Sequence, residues 1–112
     1  MDKLEQRARR KRGIRKRIHG TSDKPRITVF RSNKHLYVQA VDDAVGKTIA
    51  SSSDLESGVK NNKKGAAAVG EKLAEKLAQL EVQRAVFDRN GYLYHGVVAA
   101  VAEGVRKGGI QV

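Results

Sequence analysis

The chain contains no cysteine, no tryptophan, a single proline and only five Phe or Tyr side chains in 112 residues. Lack of cysteine excludes a disulfide framework, thiolate zinc sites and thiol nucleophiles, and it is compatible with a reducing compartment. With aromatic residues at 4%, a core has to be built from Val, Leu, Ile and Ala. No apolar run approaches the roughly 18 residues that span a bilayer, and the N-terminus lacks the apolar segment of a signal peptide. The length suits one domain, and the composition reads as a soluble intracellular protein.

Carboxylate is scarce in one region only. Residues 1–35 hold 13 Lys/Arg against 3 Asp/Glu, whereas residues 36–112 hold 10 against 9. A nearly neutral body therefore follows a strongly cationic front. The division expected is an arm over residues 1–22 and a globular domain over residues 23–112. Such asymmetry points to a polyanion, either nucleic acid or an anionic membrane surface.

Within that arm, RARRKRGIRKRIHG spans residues 7–20 with eight Lys or Arg and no carboxylate. On a helical wheel Leu4, Ala8, Ile14 and Ile18 share an arc, but Lys11 and Arg15 fall inside it. Gly13 lowers helix propensity further, and no Trp or Phe is present to anchor at an interface. A membrane role is therefore disfavoured. In isolation such a block reads as a solvated tail; phosphates would supply the counter-charge that orders it. Six of the eight cations are Arg, which favours bidentate phosphate contact and stacking.

The body alternates in the strand manner after Pro25. In RITVFRS, Ile27 and Val29 share one face, with Arg26, Thr28 and Phe30 on the other; in HLYVQAVD, Leu36, Val38 and Ala40 oppose His35, Tyr37 and Gln39. The turn at residues 32–34 joins these into a hairpin, and DDAVGK, ended by Gly46, leads into a third strand, KTIASSS. Val69, Leu73, Leu77 and Leu80 then follow a helical period, with Asn61 or Asn62 as N-cap and Glu71, Lys72, Glu75 and Lys76 on its solvated face. VQRAVFD reads as a short strand centred on Ala85, Val86 and Phe87. Val98, Val101, Ala102 and Val105 mark a last helix, complemented at its end by Arg106 and Lys107, with Gly108 at C′. The order β-β-β-α-β-α predicts an α/β fold, a mixed β-sheet flanked by helices and preceded by the basic arm. Its strand–helix–strand crossover would run strand four parallel to strand three if both lie in one sheet.

Nothing in the sequence argues for catalysis or metal binding. His19, His35 and His95 lie in separate segments without a ligand spacing. Asp42-Asp43 reads as turn chemistry, and Ser51-Ser52-Ser53 lacks a GxSxG context. KGAAAVG and GVRKGG match no phosphate-loop pattern. A nuclease would need carboxylates on the central strands, and RITVFRS has none. The loop DRNGYLYHG, in contrast, gathers Tyr92, Tyr94 and His95 beside Arg89. Aromatic and guanidinium planes stack on unpaired bases, while one tyrosine packing over the core is an equally good reading.

KPRITVFRSNKHLYVQAVDD, FDRNGYLYHG and the closing AEGVRKGGIQV, in that order, closely resemble the bacterial family of large-subunit ribosomal protein eighteen, over nearly the whole chain. The resemblance implies a structural, non-enzymatic constituent of the cytoplasmic ribosome, present as a monomer, without cofactor or metal. It implies binding to 5S rRNA and its linkage to 23S rRNA in the central protuberance, beside large-subunit ribosomal protein five. Carried over by the resemblance, the RNA contacts are Arg7, Arg9, Arg10, Lys11, Arg12, Arg15, Lys16 and Arg17 of the arm. To these it adds Arg26, Arg31, Ser32, Asn33, Lys34, His35 and Tyr37 of the first hairpin, and Arg89, Tyr92, Tyr94 and His95 of the loop. Family members often carry basic residues just after YHG; Val97 and Ala99 stand there in this chain, and no contact is assigned to them. The rival reading within the same partner class is a non-specific RNA binder or chaperone.

Overall fold

The computed structural model describes residues 6, 8–10, 20–32, 34–92 and 96–112. Three strands form a meander, β1 (Arg26–Arg31), β2 (Leu36–Asp42) and β3 (Lys47–Ser53). A one-turn helix, α1 (Asp54–Ser57), follows, then α2 (Lys63–Gln79), a short β4 (Val86–Asp88) and α3 (Val97–Lys107). The sheet order is β3-β2-β1-β4, with β1–β2 and β2–β3 antiparallel and β1–β4 parallel. Strand four thus runs in the same direction as strand three, as expected, but it crosses the whole meander to reach the free edge of β1.

The alternation in β1 and β2 sets the layers. Ile27, Val29, Leu36, Val38 and Ala40 are wholly buried, and they share the core with Val69, Leu73 and Leu77 of α2 and with Val98, Val101 and Val105 of α3. One face of the sheet is therefore covered by helices. The opposite face carries Thr28 and Phe30 of β1 with Tyr37 and Gln39 of β2.

α2 starts at Asn62, whose Oδ1 accepts from the Gly65 N–H at 2.8 Å, so of the two candidate caps the second is used. The expected apolar stripe holds through Leu77 but not at Leu80, which caps the helix and is 53% exposed. Helical geometry ends at Gln79, and with it the periodicity that would have turned Leu80 inward. Small residues do the remaining packing. A Cβ on Gly104 would run into the Ala67 backbone, and one on Gly70 into the Val101 carbonyl. Lys63 lies beside Gly96 at the start of both helices, and Lys107 meets Glu71 further along. The two helices therefore lie side by side in the same direction.

Three further details differ from the sequence reading. α1 was not foreseen: Ser53, in the serine run, accepts the Glu56 N–H at 3.1 Å, and Gly58 closes the turn at φ +67°. β4 begins at Val86, because the Ala85 N–H is turned the other way, to the Gln111 carbonyl. At the end of α3, Gly108 keeps helical backbone (φ −74°), and the left-handed position falls one residue later, at Gly109.

Candidate nucleic-acid interface

The sheet face opposite α2 and α3 has a closed end and an open end. At the closed end lies Arg26, whose guanidinium is occupied on both sides. Its Nε and Nη2 donate to the two oxygens of Asp43 at 2.9 and 3.0 Å, and its Nη1 donates to Asp88 at 2.6 Å. Asp88 is fully buried and also accepts the Asn90 N–H. The hydrogen bonds to Asp43 raise the Arg26 pKa, burial opposes this, and the bond to Asp88 adds to the rise. Three of the five guanidinium N–H donors go to carboxylates, and the side chain is only 10% exposed, so Arg26 offers little to a phosphate. Strand parity put Arg26 on the outer face correctly, and two carboxylates meet it there.

Asp43 also fixes where the arm leaves the body. Its Oδ2 accepts the Gly20 N–H at 2.7 Å, and the Asp43 N–H donates to the Gly20 carbonyl at 3.0 Å. Only glycine fits this approach, since a Cβ at position 20 would meet the Val41 carbonyl and the Arg26 backbone. Asp42, in turn, accepts the Ala44 N–H at 3.0 Å, the turn role expected of it. A second tie lies within the arm, where Arg10 Nε donates to the Gly91 carbonyl at 2.9 Å. Arg9 is exposed; Arg7, Lys11, Arg12, Arg15, Lys16 and Arg17 lie outside the described residues.

The open end is the β1–β2 hairpin. Arg31, Ser32 and Lys34 are exposed and Asn33 is outside the described residues. Ser32 braces the turn, its Oγ accepting the His35 N–H at 3.0 Å. Asp54 of α1 holds the other side: Oδ1 accepts the Leu36 N–H at 3.2 Å, and Oδ2 sits 3.3 Å from His35 Nδ1. Burial pushes the Asp54 carboxyl up, but the bonds from the Leu36 N–H, His35 and the Leu55 N–H outweigh it and hold it below its ordinary value. Tyr37 is 39% exposed and Phe30, directly opposite in the β1–β2 register, is 52% exposed. Sequence reasoning placed Phe30 on this face without counting it as a site residue; an aromatic at an outward strand position opposite another aromatic was the available signal.

The loop after β4 starts with consecutive left-handed residues, Asn90 (φ +55°) and Gly91 (φ +76°), closed by the Tyr92 N–H donating to the Arg89 carbonyl. Asn90 Nδ2 donates to the Val29 carbonyl at 3.0 Å, docking the loop on β1. Tyr92 takes the structural role of the two considered for the tyrosines. It packs against the core, and its hydroxyl accepts the Arg31 N–H at 3.1 Å and donates to the Arg31 carbonyl at 3.0 Å. Arg89 is half-buried, and Tyr94 and His95 lie outside the described residues.

The order of these segments along one sheet edge and its loops is matched at the level of sequence. Residues 1–112 match the family model of ribosomal L18 of archaea, bacteria, mitochondria and chloroplast. The chain belongs to this family. It is 50% identical to large ribosomal subunit protein uL18 of Nitratiruptor over 94% of this chain and 89% of that one. To uL18 of Treponema denticola it is again 50% identical, over 98% and 94% of the two chains. To that of Nitratidesulfovibrio vulgaris it is 47% identical, over 99% and 98%. The protein is accordingly a structural constituent of the large ribosomal subunit, which is cytoplasmic in bacteria, and not an enzyme. No helix among the described residues is long and apolar enough to cross a membrane.

Proposed function

We propose that this member of the ribosomal L18 family binds 5S rRNA and links it to 23S rRNA in the central protuberance, beside large-subunit ribosomal protein five. The observation that carries the reading is the segregation of the site: one sheet face is covered by α2 and α3, while the other gathers Phe30, Tyr37 and the exposed cations of the hairpin. The proposed RNA-binding set is the arm cations (Arg7, Arg9 to Arg12 and Arg15 to Arg17), with Arg31, Ser32, Asn33, Lys34, His35 and Tyr37. Arg89, Tyr94 and His95 complete it. Arg26 is left out, and Tyr92 supports the site from behind.

The division into an arm of residues 1–22 and a body of residues 23–112 belongs to the same proposal. Cations in the arm neutralise phosphates and fix position, whereas folded RNA is told apart by shape, 2′-hydroxyls and exposed bases. Competition between 5S rRNA and tRNA at two salt concentrations tests this. The full chain is compared with a full-length variant carrying Gln at Arg12, Arg15, Lys16 and Arg17. Clear preference for 5S rRNA, with the variant losing affinity and salt dependence but keeping some preference, is the expected result. Equal competition by tRNA for the full chain would make it a non-specific binder.

A further inference from the structure

Phe30 stands out among the exposed residues of the body. A lone exposed apolar side chain is ordinary; its surroundings are what distinguish this one. Tyr37 lies directly across the strand pair, with ring centroids 6.4 Å apart and planes at 45°. The His35 imidazole follows, 6.5 Å from the Tyr37 ring and edge-on to it. Three rings thus run from β1 across β2 to the turn. Arg31 and Lys34 at the same end make no ion pair among the described residues. The neighbouring positions on the face, Thr28, Gln39 and Ser51, are neutral hydrogen-bonding groups.

These three features together select among partners. An apolar protein surface would bury Arg31 and Lys34 without counter-charge, which is costly. The backbone of an RNA duplex would use the cations and leave the rings without a role. A single-stranded segment uses all of them: bases on the ring faces, phosphates on the cations, base edges on the amide and hydroxyls. We infer that Phe30 and Tyr37 form a stacking platform for unpaired bases of the bound rRNA, with Arg31 and Lys34 on the adjoining phosphates. The inference rests on the RNA-binding reading above and adds to it the kind of element held here, a loop or bulge. The backbone that carries the rings is braced independently of RNA, because the Tyr92 hydroxyl bridges the Arg31 N–H and carbonyl and Asp54 accepts the Leu36 N–H.

The test measures 5S rRNA and tRNA affinity at several salt concentrations for the full chain and for Phe30→Ala, Phe30→Leu and Phe30→Trp, with circular dichroism as the folding check. Stacking predicts that Ala and Leu both weaken 5S rRNA binding by roughly tenfold and that Trp keeps it. The slope of log affinity against log salt should stay unchanged, since every phosphate keeps its cation. Arg31→Ala should instead lower that slope. Full binding by Phe30→Ala overturns the platform, and so does Leu serving as well as Phe, which would mean an apolar contact of another kind. Preference of the unmodified chain for 5S rRNA over tRNA reports separately on the function proposed above. If that preference is present while Phe30→Ala binds fully, the platform alone is wrong; if it is absent, both readings fall.

Discussion

Two buried charges carry the strongest consequences of single residues. Removing Arg26 takes a guanidinium partner from Asp88, fully buried, and from Asp43, four-fifths buried. Breaking such a pair from one side costs roughly 3–5 kcal/mol, so Arg26→Ala should move the urea midpoint sharply down. Had Arg26 been an RNA contact, the loss would fall on binding and spare stability. Asp54 predicts a pH effect of definite sign. Its folded pKa is depressed, so its contribution is present above the unfolded value and is lost as pH falls through the folded one. Thermal stability of the native chain should therefore decline below about pH 4 more steeply than that of Asp54→Asn. At this scale the sequence was legible in part. Alternation told which way Arg26 points, but its partners lie 17 and 62 residues away, and no local pattern announces contacts at that range.

The elements followed their periodic signals where those signals were long enough. Seven residues of β2 and seventeen of α2 gave unmistakable patterns. The four residues of α1 are too few for any period, and only the Ser53 cap and Gly58 stop mark them. The contact between α2 and α3 yields a prediction. Gly104→Ala gains about 1 kcal/mol of helix propensity, but the added methyl meets the Ala67 backbone, which has no rotamer to turn away. Overpacking costs roughly 1–3 kcal/mol or more, so the variant should melt lower than the native chain in a thermal scan. Asn62→Ala should lower stability by about 1 kcal/mol through loss of the α2 cap.

For the whole molecule, charge distribution was readable from the first 35 residues, and it set the class of partner correctly. The shape of the interface was not readable, because it depends on which sheet face the helices leave open. With the arm neutralised at four positions, the salt slope of RNA binding should fall by roughly 0.7–0.9 for each phosphate left without its cation. A titration over several salt concentrations measures it directly.

The sheet order β3-β2-β1-β4 also has a consequence in time. As the chain emerges during synthesis, the meander and the Arg26–Asp43 pair are complete once β3 has appeared. The outer edge of β1 has to wait for β4, the last strand made, and Asp88 is its final residue. The basic arm has been outside since the beginning. Closure of the second half of the Arg26 cluster therefore cannot precede synthesis of β4, and a chain truncated before residue 86 presents an unpaired β1 edge.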